Sequence, residues 1–160
     1  MARFHRTVPA PKSRAKKDYG IFRRHVRKDF EECCAYCLRH EDWADGEDTF
    51  QIDHFRPQML FDELICDFYN LYYACYHCNK WKSDKWPSDE LIAKGIGFVD
   101  FCQDNFDQHF RALPNGRWEP LTESAHYTEE ALRLNSPHLI QRRFHLIQHG
   151  YAMDKPNPSK

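Results

Sequence analysis

The sequence predicts an α+β chain organised around a zinc staple. Three observations support this: two Cys-x2-Cys pairs, a basic amphipathic segment ahead of them, and short strand and hairpin signals set between polar turns. Cys34-Ala35-Tyr36-Cys37 and Cys75-Tyr76-His77-Cys78 have 37 residues between Cys37 and Cys75. The spacing inside each pair lets both thiolates turn onto one ion, and two pairs complete a tetrahedral four-thiolate site that suits Zn2+. Such a site keeps no open position, so its zinc is structural. Cys33 in place of Cys34, or His40 or His77 in place of a thiolate, are the alternative ligands. Cys66 and Cys102 stand among aromatic residues and read as buried structural thiols. Seven Cys in all, an odd number in clusters, fit metal binding better than a closed disulfide set.

The elements follow in chain order. Residues 1–17 carry Pro9, Pro11 and six Lys/Arg with little periodicity, which reads as a basic flexible arm. From Asp18, Phe22, Val26, Phe30 and Cys33 recur at helical spacing, with Arg23, Arg24, Arg27 and Lys28 on the other side. This predicts a helix whose basic face touches phosphates. Thr49 to Asp53 reads as a strand, whereas Phe61 to Tyr73 mixes apolar and polar residues and takes no firm assignment. Ser88 caps a short helix stopped by Gly95. Phe98 to Phe101 reads as a strand, and Asn115-Gly116 as the turn of a hairpin between Phe110 and Trp118. Thr128 caps a helix through Leu134, and Ser136-Pro137 opens a last helix with Ile140, Phe144 and Ile147 on its apolar face. The expected division is an arm over 1–17, a core with its basic helix over 18–100, and a hairpin and helical extension over 101–160.

Composition narrows the class. In 160 residues, 41% apolar and 29% charged is globular rather than disordered composition. No run approaches 18 consecutive apolar residues, so no membrane span is expected, and the basic first 28 residues lack the apolar stretch of a secretory leader. A cytoplasmic protein is the expectation. The net charge of −1 divides into +9 over residues 1–28 and −10 over the rest. That asymmetry points to a polyanionic partner for the amino-terminal segment, unless the segment folds over acids such as Glu41, Asp42, Asp45, Glu47 and Asp48.

Between the Cys pairs lies Phe50-Gln51-Ile52-Asp53-His54-Phe55-Arg56-Pro57, and after the second pair Asn79-Lys80-Trp81-Lys82. The order of Cys pair, Asp53-His54, Asn70, Cys pair, Asn79 and Lys82 resembles the HNH nucleases of the ββα-metal (His-Me finger) superfamily. The form is the zinc-stapled one, with Asn79 as the third element, an H-N-N variant. The resemblance covers residues 34–82. It implies a metal-dependent endonuclease acting on DNA, with 5′-phosphate and 3′-hydroxyl products and with Asn70 tying the ββα loop so that His54 is fixed. The chemistry of the residues agrees. An imidazole accepts a proton near neutral pH, so His54 suits the general base. A carboxylate and an amide oxygen, Asp53 and Asn79, suit Mg2+, with Mn2+ as a substitute. On a regular strand Asp53 and His54 face opposite sides, so serving one phosphate requires the chain to bend there. Lys82, three residues beyond Asn79, is a candidate phosphate contact, and Arg56, Lys80 and Lys85 are weaker ones.

Further on, Thr128 to Leu139 followed by Arg142-Arg143 resembles, less specifically, the carboxy-terminal stretch of small bacterial stand-alone HNH proteins. Some of these accompany an ATPase in anti-phage defence, which implies that role and partner here. The rival reading is a non-catalytic zinc module binding nucleic acid or protein. A Cys-based redox protein is excluded, because neither pair sits in a βαβ pattern.

Overall fold

Leu71-Tyr72-Tyr73-Ala74-Cys75 is apolar or aromatic throughout, and in the computed structural model, which describes residues 2–11 and 18–150, all five are buried. A strand buried on both faces reads as a continuous apolar run rather than an alternation. It is β2 (Leu71–Cys75), paired antiparallel with β1 (Phe50–His54) from Phe50 opposite Cys75 to His54 opposite Leu71. Ahead of the pair, a 3-10 turn at Tyr19–Phe22 runs into α1 (Arg23–Asp29). Phe22, Val26, Phe30 and Cys33 are buried at the expected spacing, although the helix itself ends before Cys33. Phe30 and Tyr36 pack on Tyr72, and Phe50 stacks on Tyr73 at 4.8 Å.

Past β2 the chain turns directly into α2 (Tyr76–Lys82), then α3 (Asp89–Ala93), α4 (Phe106–His109), the hairpin of β3 (Phe110–Ala112) and β4 (Trp118–Pro120), α5 (Glu123–Leu132) and α6 (Pro137–Gln148). Ser88 accepts from the Leu91 N–H at the start of α3. Gly116 takes the left-handed conformation of the hairpin turn (φ 86°), and α6 packs so closely that a Cβ there would stand 2.7 Å from the Phe144 nitrogen. Phe101, Phe106, Phe110 and Trp118 form a second aromatic cluster, with the buried Arg143 guanidinium 4.4 Å from the Trp118 ring. Both clusters belong to one buried core that crosses the expected boundary at residue 100, where Tyr72 OH donates to Asp100 at 2.5 Å.

Four expectations are corrected. Residues 98–101 form no strand: Asp100 instead accepts from Tyr72, Cys102 N and Gln103 in an irregular turn. Thr128 is not a cap; Thr122 accepts from Ala125 N as the cap of α5, while Thr128 lies buried mid-helix and hydrogen-bonds the Ser124 carbonyl. The buried face of α6 is Leu139, Arg143 and Leu146, and Phe144 is exposed, because Arg143 reaches under the hairpin to the Gly116 and Leu134 carbonyls. Finally, residues 2–11 do not behave as a loose arm. Phe4 is buried against Phe30, and Arg6 and Thr7 both bind the buried Asp29 carboxylate, a group that burial obliges to find partners. Lys12, Arg14, Lys16 and Lys17 lie outside the described residues. No helix among the described residues is long and apolar enough to cross a membrane.

Candidate active site

The two Cys pairs meet because each sits at a tight turn. Leu38 takes a left-handed conformation (φ 60°) and returns its N–H to the Cys34 carbonyl, closing the first knuckle. Cys75 ends β2 and stands at the N-cap position of α2, and Cys78 lies one turn into that helix. The four sulfur atoms lie within 4.8 Å of one another, with Cys37 and Cys75 3.9 Å apart. Thiolates at about 2.3 Å from a tetrahedral zinc stand about 3.8 Å from each other, so the cluster fits Zn2+. Hydrogen bonds from Cys34, Cys75 and Cys78 hold the Cys37 thiol well below the usual range, while burial pushes Cys34 up. Cys33, His40 and His77 are outside the cluster. His40 Nδ1 accepts from Asp42 N, and His77 packs beside Trp81.

Beside this staple a cleft of about 470 Å3 opens along β1 and the start of α2, lined by Tyr19, Arg23, Gln51, Asp53, His54 and Asn79 among others. The strand keeps its register through His54, without the bend expected at Asp53-His54, and Phe55 N still donates to the Asn70 carbonyl at 2.9 Å. Asp53 and His54 both still border the cleft. His54 Nε2 lies 3.0 Å from the Ile65 carbonyl oxygen, and the Tyr19 ring meets the imidazole edge-on at 4.8 Å. A carbonyl only accepts, so Nε2 carries the proton and Nδ1 holds the lone pair.

Asp53 turns into the body. Its Oδ2 accepts from Tyr36 OH and stands 3.3 Å from Lys82 Nζ. Burial pushes the Asp53 carboxyl up, partly offset by the Lys82 charge and the Tyr36 hydrogen bond; burial pushes Lys82 down, partly offset by Asp53. Lys82 is fully buried and also donates to the His54 carbonyl at 2.7 Å, so it is no phosphate contact. Its place one turn beyond Asn79 faces the sheet rather than solvent. Asn79 Nδ2 donates to Gln51 Oε1, leaving the Asn79 amide oxygen. The Asn70 side chain hydrogen-bonds the loop rather than the His54 ring. Its Oδ1 accepts from Arg56 N at 2.8 Å and its Nδ2 donates to the Arg56 and Leu64 carbonyls, clamping both ends of the loop that leaves His54.

The basic candidates divide. Arg27 is committed to Glu41, Glu32 and Glu47, and Arg23 to Glu47 and the Phe50 carbonyl, although Arg23 still lines the cleft. Glu41 and Glu47 are acids of the alternative reading, which holds for Arg23 and Arg27. Arg24, Lys28 and Arg56 are exposed. Lys85 donates to the Ala131 carbonyl, and Lys80 lies over Tyr76.

A pair of knuckles, a two-stranded antiparallel sheet and a following helix, with the histidine at the end of the first strand, is the arrangement the sequence resemblance implies. Residues 34–85 match the HNH endonuclease family. The HNH match spans about a third of the chain and takes in all four clustered cysteines, Asp53, His54, Asn70 and Asn79. No curated protein matches the chain. The HNH family is one of metal-dependent nucleases, and its four-cysteine form accounts for the cluster. Tyr19, Tyr36 and Gln51 escaped the sequence reading. Gln51 had a signal, because strand periodicity puts it on the Asp53 face; Tyr19 and Tyr36 had none, since only tertiary packing brings them to His54 and Asp53.

Proposed function

We propose that this chain is an HNH endonuclease that hydrolyses DNA phosphodiester bonds with His54 as the general base. The observation that carries the reading is the His54 contact with the Ile65 carbonyl. It fixes the tautomer and leaves Nδ1 to take a proton from the attacking water. Asp53 and Asn79 would hold Mg2+, or Mn2+ in its place. The bonds to Asp53 fall on Oδ2 and that of Asn79 on Nδ2, so each keeps one oxygen outside those bonds, the ligand type these ions take. Bound there, the ion supplies charge stabilisation at the phosphate and the departing oxygen. Lys82 and Tyr36 hold the Asp53 carboxylate in place from behind, Asn79 is steadied by Gln51, and Asn70 keeps the loop and with it the Ile65 carbonyl in position. Arg24 and Lys28, exposed on α1, supply charge for the DNA backbone. The Zn2+ site staples the two ends of the HNH segment together and takes no part in the reaction.

The test is cleavage of plasmid, single-stranded DNA and RNA by zinc-loaded protein with added Mg2+ or Mn2+. His54→Ala should lose at least about 10²-fold in rate while retaining zinc and DNA binding. Near-normal cleavage by that variant overturns the mechanism. A place in anti-phage defence beside an ATPase, the reading of the Thr128 to Leu139 stretch, predicts protection of cells from phage that the same substitution abolishes.

A further inference from the structure

The loop leaving His54 borders two cavities. Pro57 and Gln58 line the cleft at His54, whereas Phe55, Arg56 and Phe61 line a second cavity of about 600 Å3 that Trp86, Asp104 and His109 also line. We propose that this second cavity receives an unpaired nucleobase of the strand whose phosphate lies at His54; the placement of that phosphate rests on the nuclease reading above.

The chemistry of the walls selects the ligand. Phe55 and Phe61 meet the Trp86 ring edge-to-face at 5.8 and 5.5 Å, and all three are half-buried. The exposed Arg56 guanidinium stands 5.7 Å from the Phe61 ring and 5.9 Å from Trp86. Aromatic rings beside an arginine form the surface on which unpaired bases stack. The polar groups add edge contacts. His109 spends Nδ1 on Thr122 and Asp104 spends Oδ2 on Asp100 N, so Nε2 and Oδ1 remain for a base. The volume falls in the range of small-ligand sites. A flat duplex edge does not enter such a concavity, so the base must be outside the stack.

Position supports the same ligand. Arg56 is two residues from His54, a reach of about 7 Å along the chain, and Asn70 clamps its backbone at both N–H and carbonyl. Base and phosphate of neighbouring nucleotides could therefore be held by one fixed loop. Its tip carries Met59 and Leu60, 76% and 61% exposed, apolar side chains of the kind that wedge between base steps and open them.

The test uses zinc-loaded full-length His54→Ala and two DNA duplexes of identical charge, each with a single-nucleotide bulge that either carries its base or is abasic. Binding should favour the base by about tenfold or more, the scale of one stacked base. Arg56→Ala, at an exposed position, and Phe61→Ala should each remove most of that preference while both duplexes still bind. Equal affinity of the His54→Ala protein for the two duplexes overturns the inference, as does an undiminished preference in both variants. Cleavage by the wild-type protein is read separately. A preference for the base without cleavage removes the nuclease reading and leaves the pocket; cleavage without the preference removes the pocket alone.

Discussion

At the scale of single residues, Lys82 shows where reading a sequence and reading a structure diverge. Its position three residues after Asn79 made it a phosphate contact, yet it is fully buried and bonded to Asp53 and to the His54 carbonyl. Removing one member of a buried ion pair leaves the other charged and unpaired. Lys82→Ala should therefore lower stability by about 3–5 kcal/mol, read from urea unfolding, rather than weaken DNA binding at equal folded concentration. A variant with unchanged unfolding and weakened binding would return Lys82 to the phosphate. The order Cys pair, Asp53-His54, Asn70, Cys pair and Asn79 made the HNH segment legible, and residues 34–85 match that family. What each touches was not legible: the Tyr36 hydroxyl behind Asp53 and the carbonyl that sets the His54 tautomer come from chain segments 17 and 11 residues away. Spacing along one segment carries no information about such partners.

At the scale of elements, α1 was predicted by its apolar spacing, and the buried set confirms the reason. Its basic face was read as open, but half of it clasps the acidic turns that follow. Arg27 meets Glu41, which also accepts from Tyr73 OH at 2.7 Å. Burial alone would push the Glu41 carboxyl up; the Arg27 and Tyr73 hydrogen bonds and the Arg27 charge outweigh it and hold it below 4.5. A carboxyl with a lowered folded value binds fewer protons in the native state. Its stabilisation is complete above about pH 4.5 and is lost as the pH falls through the lowered folded value. The urea-midpoint gap between wild type and Glu41→Gln should therefore be widest at neutral pH and shrink below pH 4.5, and a gap independent of pH would remove the clasp. The zinc knuckles are the other element-scale prediction. Cys75→Ala should lose zinc and cooperative unfolding together, because metal affinity here is folding free energy, whereas Cys66→Ala should retain both. A stable, metal-replete Cys75→Ala protein contradicts the staple. The α6 face was misread for a related reason: hydropathy cannot foresee that Arg143, buried beneath Trp118, displaces Phe144 to the surface.

At the scale of the whole molecule, the charge division between residues 1–28 and the rest was visible in the sequence, but it has two physical uses. Some of the positive charge holds the fold together: Arg6 joins Asp29 to the Phe68 carbonyl, beside a Phe4 side chain that is 1% exposed, and Arg27 is spent on Glu41. Arg24 and Lys28 are exposed on α1, where a phosphate backbone can reach them. The two uses give separable outcomes. Phe4→Ala empties a buried aromatic site and should cost about 3–5 kcal/mol in urea unfolding. Its salt dependence of DNA binding, measured where the protein is folded, should not change. Arg24→Ala combined with Lys28→Ala should leave the unfolding midpoint within about 0.5 kcal/mol of wild type, as exposed positions do. Each lost phosphate contact flattens the slope of log affinity against log salt by about 0.9, so the double variant should bind duplex DNA more weakly at low salt, with a slope shallower by about 2. An unchanged slope in that variant would place the DNA on another face and leave the α1 charge without a polyanion to meet.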